Sequence, residues 1–240
     1  MSKFSRGSQE YTLMVLAAGR GMRLTKGVSS KAMFRVGDRP LISFILACRQ
    51  LPEIVETIVL SRPEDIDLQK YLAEINSPQS EISILKQITS STGKGTSALY
   101  RAAKSSHHIW ATCDEICSID DIARLIDHYE TADNDVVSIL PVTPIIGLDD
   151  PVWVEVQADM SVQAIGKDLQ PTGLTWGNIR ISGEKYQRLH TECSKQESHE
   201  TKIYDSIIRQ FTGRHIAVHC PHLFDVDTKQ EAIRAANLEI

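Results

Sequence analysis

Apolar and polar positions follow two different rhythms along this chain. Tyr11–Ala18 is an almost unbroken apolar run, the pattern of a strand buried on both faces. Pro40–Leu51 then reads as a helix with Pro40 in its first turn. Residues 57–61 read as a strand, Pro63–Ile75 as a helix and Ile82–Lys86 as a strand. A helix at Thr96–Ser105 and a strand at His108–Cys113 follow. A helix at Ile119–Tyr129, with Ser118 as its N-cap, and a strand at Asp135–Leu140 complete this series. Repeated strand–helix alternation predicts an α/β fold around a mainly parallel sheet.

After Pro141 the rhythm changes. Strict alternation over 152–157 and again over 161–167 predicts a hairpin, and 174–182 reads as one further strand. The helix Lys202–Phe211 places Ile203, Ile207, Ile208 and Phe211 on one face. A strand at His215–His219 and a closing helix at Thr228–Asn237 end the pattern. One domain over residues 1–240 is expected, with unequal halves at 11–140 and 141–240.

Composition narrows the function. The chain has 240 residues, 42% apolar and 24% charged, an ordinary globular balance. No apolar run is long enough to cross a bilayer, and the first ten residues lack the apolar core of a secretory leader. Five scattered cysteines read as reduced core thiols, so a cytoplasmic protein is expected. A net charge of −5 gives no nucleic-acid footprint. Against that acidic background, Arg20, Arg23, Lys26, Lys31, Arg35 and Arg39 cluster with only Asp38 among them. Such a stretch suits a small polyanionic ligand.

The cluster begins in a glycine loop, "VLAAGRGMRL" at 15–24, directly after the first strand. Glycines let backbone N–H groups approach a phosphate without Cβ clashes. The loop is not a dinucleotide fingerprint, because Leu24 stands where the third glycine belongs. "STGKGTS" at 91–97 is not a Walker loop either, with Gly95 at the Ser/Thr position and Ile88 at the first glycine.

"LAAGRGMRL" (16–24) followed by "SKAMFRVGDRPLI" (30–42) resembles the signature of the nucleotidyltransferase family that includes sugar-phosphate nucleotidylyltransferases and MobA-like NTP transferases. The resemblance implies a Rossmann-like three-layer α/β sandwich with a mixed, mainly parallel sheet, the GT-A-like arrangement. It implies that Leu16, Ala17, Ala18, Gly19 and Gly21 line the nucleotide. Arg23 and Lys31 would hold the triphosphate and the attacking phosphate. "GTSALYRAA" (95–103) is similar to the family's helix start, with Gly95 and Thr96 beside the base. "IWATCDEICSIDDI" (109–122) resembles the strand end that makes Asp114 a magnesium ligand. "AIGKDL" (164–169) is similar to the element whose lysine, here Lys167, faces the acceptor phosphate, and Gly177 and Asn178 would border the acceptor. "FDVDTKQEAIRAA" (224–236) resembles the closing segment that supplies a second metal carboxylate, Asp225 or Asp227. These two aspartates read as facing opposite ways, so that one reaches the ion and the other caps the closing helix beside Thr228.

The chemistry asks for these residue types in its own right. A phosphate oxygen attacking the α-phosphorus of an NTP brings two anions together, so Arg, Lys and a hard cation on oxygen ligands must neutralise them. The attacking phosphate is already ionised near neutral pH, so positioning and electrostatics carry the rate and no general base is required. The expected function is Mg2+-dependent transfer of NMP, with CTP or UTP as donor, to a phosphorylated sugar, polyol or alcohol. Transfer is expected as the sole activity, and a homo-oligomer accords with the resemblance. Two alternatives stand beside it: a molybdopterin-type guanylyltransferase and a non-catalytic nucleotide-binding module. A zinc site on His215 and His219 is disfavoured, since strand residues four apart lie about 13 Å from one another. Cys113 and Cys117 flank Asp114, where thiolate ligands would conflict with an oxygen-ligated ion. The segment lacks the usual proline before Lys31, carries Cys113 in place of a glycine, and has "TKQE" for the family's T-P-E-D. These departures point to an unusual acceptor.

Overall fold

Tyr11–Leu16 forms β1, buried from Tyr11 through Val15, as its apolar run predicts. The computed structural model describes residues 9–19, 21–25, 30–78, 81–87, 91–144, 150–211 and 213–236. Arg20 and Lys26 of the basic stretch, and Asn237 at the predicted end of the closing helix, lie outside these residues. After β1 come the single turn α1 (Met22–Thr25), a 3-10 turn at Lys31–Met33, and the small hairpin of β2 (Arg35–Val36) and β3 (Arg39–Pro40). Then follow α2 (Ile42–Leu46), β4 (Ile54–Ser61), α3 (Ile66–Glu74), β5 (Ile82–Lys86), α4 (Thr92–Ala102) and β6 (His107–Thr112). Next are β7 (Glu115–Ile116), α5 (Ile119–Thr131), β8 (Val136–Pro144), β9 (Trp153–Val156) and β10 (Val162–Gly166). The chain ends with β11 (Leu174–Trp176), β12 (Ile179–Gly183), α6 (Glu184–Cys193), α7 (Glu200–Gln210), β13 (Arg214–His219), β14 (Phe224–Asp225) and α8 (Lys229–Ala235).

Ten strands of the described chain form one sheet in the order β10-β9-β11-β8-β12-β6-β1-β4-β5, with β13 added parallel to β8. Strands β5, β4, β1, β6, β8, β13 and β9 run one way; β12, β11 and β10 run the other. The sheet is therefore mixed and mainly parallel. Alternate residues of β1 serve opposite faces: Leu13 and Val15 pack with α2, α3 and α5, while Met14 packs with α4, α6 and α7. Helices thus cover both faces of the sheet. Among the described residues, no helix is long and apolar enough to cross a membrane.

Several elements differ from the sequence expectation for local reasons. Pro40 lies in β3 rather than in a helix, and the expected 40–51 helix is α2 continued by a 3-10 turn at Ala47–Gln50. Helix α4 starts at Thr92 because the Ser91 hydroxyl accepts from the Lys94 N–H at 3.1 Å, a cap that the glycine-rich segment conceals. Ser118 caps α5 as expected. The expected strand over 174–182 breaks at Gly177-Asn178, where Asn178 adopts φ +38°, so β11 and β12 both pair with β8 but bridge it to different strands, β9 and β6. Helix α6 has no counterpart in the sequence pattern, because few of its residues are buried, Tyr186 and His190 among them.

Arg180 on β12 is fully buried, contrary to the usual placement of arginine. Its guanidinium lies 4.2 Å over the Tyr186 ring and 4.8 Å over Tyr204, and donates to Glu200 Oε1 at 3.0 Å. Glu200 Oε2 meets His190 Nε2 at 2.8 Å. This desolvated, paired charge clamps α6 and α7 to the sheet.

Two buried histidines make acid the weak point of this fold. Burial pushes His108 down to about 4 and, with help from Arg180, His215 down to about 3. Burial also acts to raise Glu200, but His190 and Arg180 outweigh it and hold that carboxyl at about 2. Below the ordinary histidine value of 6.5 the unfolded chain takes up protons that the folded histidines refuse, so stability falls as pH drops. Below 4.5 the Glu200 contribution is lost as well. Urea melts at about pH 7.5, 5.5 and 4.5 are expected to show the first loss. His108→Phe should reduce the stability lost between pH 6.5 and about 4 by up to about 3 kcal/mol.

Candidate functional site

Parallel pairing of β1 with β6 sets Leu16 opposite Thr112, so the two chains leave the sheet side by side. Ala17 N donates to Leu60 O at 2.9 Å and Cys113 N to Leu16 O at 3.2 Å, which anchors both exits. The carboxyl edge of an open α/β sheet is where ligands have access to backbone. Leu16 is half-buried, Ala17 buried and Ala18 half-buried, whereas Gly19 is exposed and a Cβ there would meet nothing within 4 Å.

Gly21 has a different role. Its φ is +56°, and a Cβ there would lie 2.7 Å from Lys31 Cβ. A side chain at this point would thus strain the turn and push against Lys31. The 3-10 turn at Lys31–Met33 then carries the buried Lys31 ammonium to Asp114 and Asp227. Arg23, on α1, pairs with Asp227 and lies 3.8 Å from Asp150, which also pairs with Lys167. A continuous ladder of opposite charges results, running from the glycine loop to the 161–167 hairpin.

The C-terminal acids reach this place through a very small sheet. β14 pairs with β7, setting Asp225 opposite Glu115, and Val226 N donates to Asp114 O at 3.1 Å. The Asp227 N–H donates to Glu231 Oε2 at 2.9 Å, while Thr228 and Glu231 form the capping box of α8. One carboxylate oxygen from each of Asp114, Asp225 and Asp227 falls within 4.8 Å of the others. The expected division between Asp225 and Asp227 is therefore corrected. Residues two apart in an extended segment share a face, both side chains converge, and Thr228 caps the helix itself.

The electrostatics of the cluster are uneven. Burial opposes ionisation of Asp114, but Lys31 beside it more than compensates and holds its carboxyl below the usual range. Burial also acts against the Lys31 ammonium, and Asp114, Asp225 and Asp227 together raise it above its ordinary value. Asp225 is pushed well above the carboxylate range, first by burial and then by Asp114. Glu115 is pushed up in the same way, by burial and then by Asp225 and Asp114. Asp225 Oδ1 is buried with no hydrogen-bond partner. Such a group has an acceptor to spare and an unmet need for positive charge.

On the acceptor side, Asn178 donates from Nδ2 to Glu115 Oε1 at 2.7 Å, and a Cβ on Gly177 would lie 3.1 Å from Leu223 Cδ1. A recess of about 10 Å³ lies between Glu115, Thr143, Thr175, Gly177 and Asp225. Gly95 borders a separate cavity of about 370 Å³ that Leu60, Gln87 and Lys94 also line. Thr96, next to Gly95, is fully buried, and its hydroxyl accepts from Trp110 Nε1 at 3.0 Å. Cys113 and Cys117 are buried and unpaired in disulfides, as core thiols. The sequence motifs do not single out Asp150, Glu115 or Gln87. Glu115 follows Asp114 directly, and Asp150 precedes the hairpin in "LDDP", which were the available signals.

Gly21→Ala is expected to cost about 1–3 kcal/mol of stability from the left-handed φ and the contact with Lys31. Urea melts give this value, and NTP affinity should fall together with it.

The model of the MobA-like NTP transferase domain family matches residues 13–143, more than half of the chain. Among curated protein sequences there is no match. Solved structures with a similar fold include a putative glucose-1-phosphate thymidylyltransferase from Bacillus anthracis, at TM-score 0.79 and 15% identity, covering 96% of this chain and 97% of that one. The inositol-1-phosphate CTP transferase from T. maritima superposes at TM-score 0.76 and 12% identity, covering 98% of both chains. A UDP-glucose pyrophosphorylase complexed with UDP-glucose superposes at TM-score 0.77 and 14% identity, covering 95% and 98%. The match begins at the strand that leads into the glycine turn and takes in Lys31 and Asp114, and on it the chain belongs to the MobA-like NTP transferase domain family.

Proposed function

We propose that the chain is a GT-A-like nucleotidyltransferase that moves a nucleoside monophosphate from CTP or UTP to the phosphate of a small sugar, polyol or alcohol phosphate. The observation that carries this reading is the convergence of Lys31 and Arg23 with Asp114, Asp225 and Asp227 where β1 and β6 end. The three carboxylates offer only hard oxygen donors, and Asp225 Oδ1 is a buried acceptor without a partner, so the set fits Mg2+. Bound there, the ion would supply Lewis-acid stabilisation of charge at the α-phosphate.

The chain's own residues would do the remainder. The backbone of Ala18, Gly19 and Gly21 would approach the phosphates, and Gly95 with Gln87 would border the base. Lys31 and Arg23 would offset the repulsion between triphosphate and acceptor phosphate. Lys167 would hold the acceptor phosphate, with Gly177 and Asn178 beside the acceptor body. An acceptor phosphate oxygen forms the new bond to the α-phosphorus as the bond to the β-phosphate oxygen breaks, and pyrophosphate departs with that electron pair. Both reactants are ionised, so orientation and fixed charge supply the rate. Five cysteines free of disulfides suit a reducing compartment, in keeping with a cytoplasmic enzyme.

Pyrophosphate release is to be measured with each of the four NTPs and Mg2+ against glucose 1-phosphate, inositol 1-phosphate, glycerol 3-phosphate and phosphocholine. Release with CTP or UTP and one acceptor is the expected result. Asp114→Asn should lower kcat at least about a hundredfold. Tight NTP binding without turnover on any acceptor would favour a binding module, and turnover with GTP and molybdopterin alone would favour the guanylyltransferase reading.

A further inference from the structure

Asp150 is a carboxylate beside the site that is not part of the three-acid group. It pairs with Lys167 Nζ and lies 3.8 Å from an Arg23 guanidinium nitrogen, joining one cation from each half of the chain. Asp150, Arg23 and Lys167 are 39%, 49% and 47% exposed, so all three side chains are open to solvent and to an arriving ligand. Among the described residues, the other carboxylates paired with Arg23 and Lys31 belong to the group that would bind a cation: Asp114 and Asp227 pair with Lys31, and Asp227 with Arg23. A divalent ion among Asp114, Asp225 and Asp227 would draw those carboxylates away from Lys31 and Arg23. It would leave Asp150 where it is, since Asp150 is not part of that group.

We propose that Asp150 is a specificity-determining residue, a built-in competitor that occupies the phosphate-facing sides of Arg23 and Lys167 until a multiply charged phosphate displaces it. The inference rests on the reading above that these two cations hold phosphates. A tethered carboxylate competes at a millimolar effective concentration. A monoanion such as a phosphodiester offers no more charge than the carboxylate it must replace, and it also gives up translational freedom on binding. A phosphomonoester dianion or a triphosphate brings more charge and wins the exchange. Asp150 thereby sets a minimum charge for entry, and it spans the donor and acceptor sides with one side chain.

Titration calorimetry of the full chain with magnesium pyrophosphate tests this directly. Asp150→Asn should bind pyrophosphate about threefold to tenfold more tightly than the parent, the range open to exposed ion pairs. Asp150→Glu, which keeps the charge, should stay within about twofold of the parent. In a Lys167→Gln background the gain from Asp150→Asn should shrink, because one of the two masked cations is gone. Steady-state assays should show lower KM for NTP and acceptor with no rise in kcat, a gain that damage to the fold does not produce. Unchanged or weaker binding in Asp150→Asn would overturn the inference, showing Asp150 to be idle or to hold the cations in place. Failure of the parent and all variants to bind pyrophosphate would instead overturn the proposed function, and this inference with it.

Discussion

The site depends on a buried ammonium that cannot stand alone. Lys31 is 6% exposed, and taking such a charge out of water costs several kcal/mol unless carboxylates surround it. Asp114 and Asp227 meet that need from positions 83 and 196 residues further along the chain. Much of the local architecture serves this meeting. Gly21 must be glycine for the turn to pass against Lys31. β7 and β14 must pair for the C-terminal acids to arrive. The capping box of α8 fixes the Asp227 backbone through Glu231.

The same balance of charges frames the chemistry. Carboxylates already pair with Lys31, Arg23 and Lys167, so the phosphate binding proposed above would be an exchange of partners rather than the filling of bare cations. Asp225 is the uncompensated member, pushed up by burial and by Asp114, and its buried Oδ1 lacks a hydrogen bond. A cation delivered there would relieve repulsion among the acids while loosening their hold on Lys31 and Arg23. On the proposed function, metal and nucleotide binding would be coupled through shared side chains.

Elements with a dense local pattern were legible in the sequence. The parallel half of the sheet follows from apolar runs separated by helical periods, and the glycine loop with Lys31 follows from a closely spaced motif. Asp114 was readable as an acid at the end of a buried strand. What escaped was set by tertiary partners. Strands of two residues, such as β7 and β14, have no periodicity to detect, yet their pairing brings Asp225 and Asp227 to Asp114. Helix α6 presents too narrow an apolar stripe, and Pro40 has a φ that suits strand β3 as well as a helix start. Thr96 lies beside Gly95 in the motif but turns its hydroxyl to the Trp110 indole. Arg180 sits in a strand whose residues are all buried, and its partner Glu200 lies 20 residues away.

The central claim is that Asp114, Asp225 and Asp227 jointly hold a divalent ion beside Lys31. Crystals grown with Mn2+ and a non-hydrolysable analogue of CTP or UTP, examined by anomalous scattering at the manganese edge, test it most directly. The claim predicts one strong anomalous peak bounded by oxygens of these three carboxylates. A peak elsewhere, or nucleotide bound with no metal among them, would contradict it.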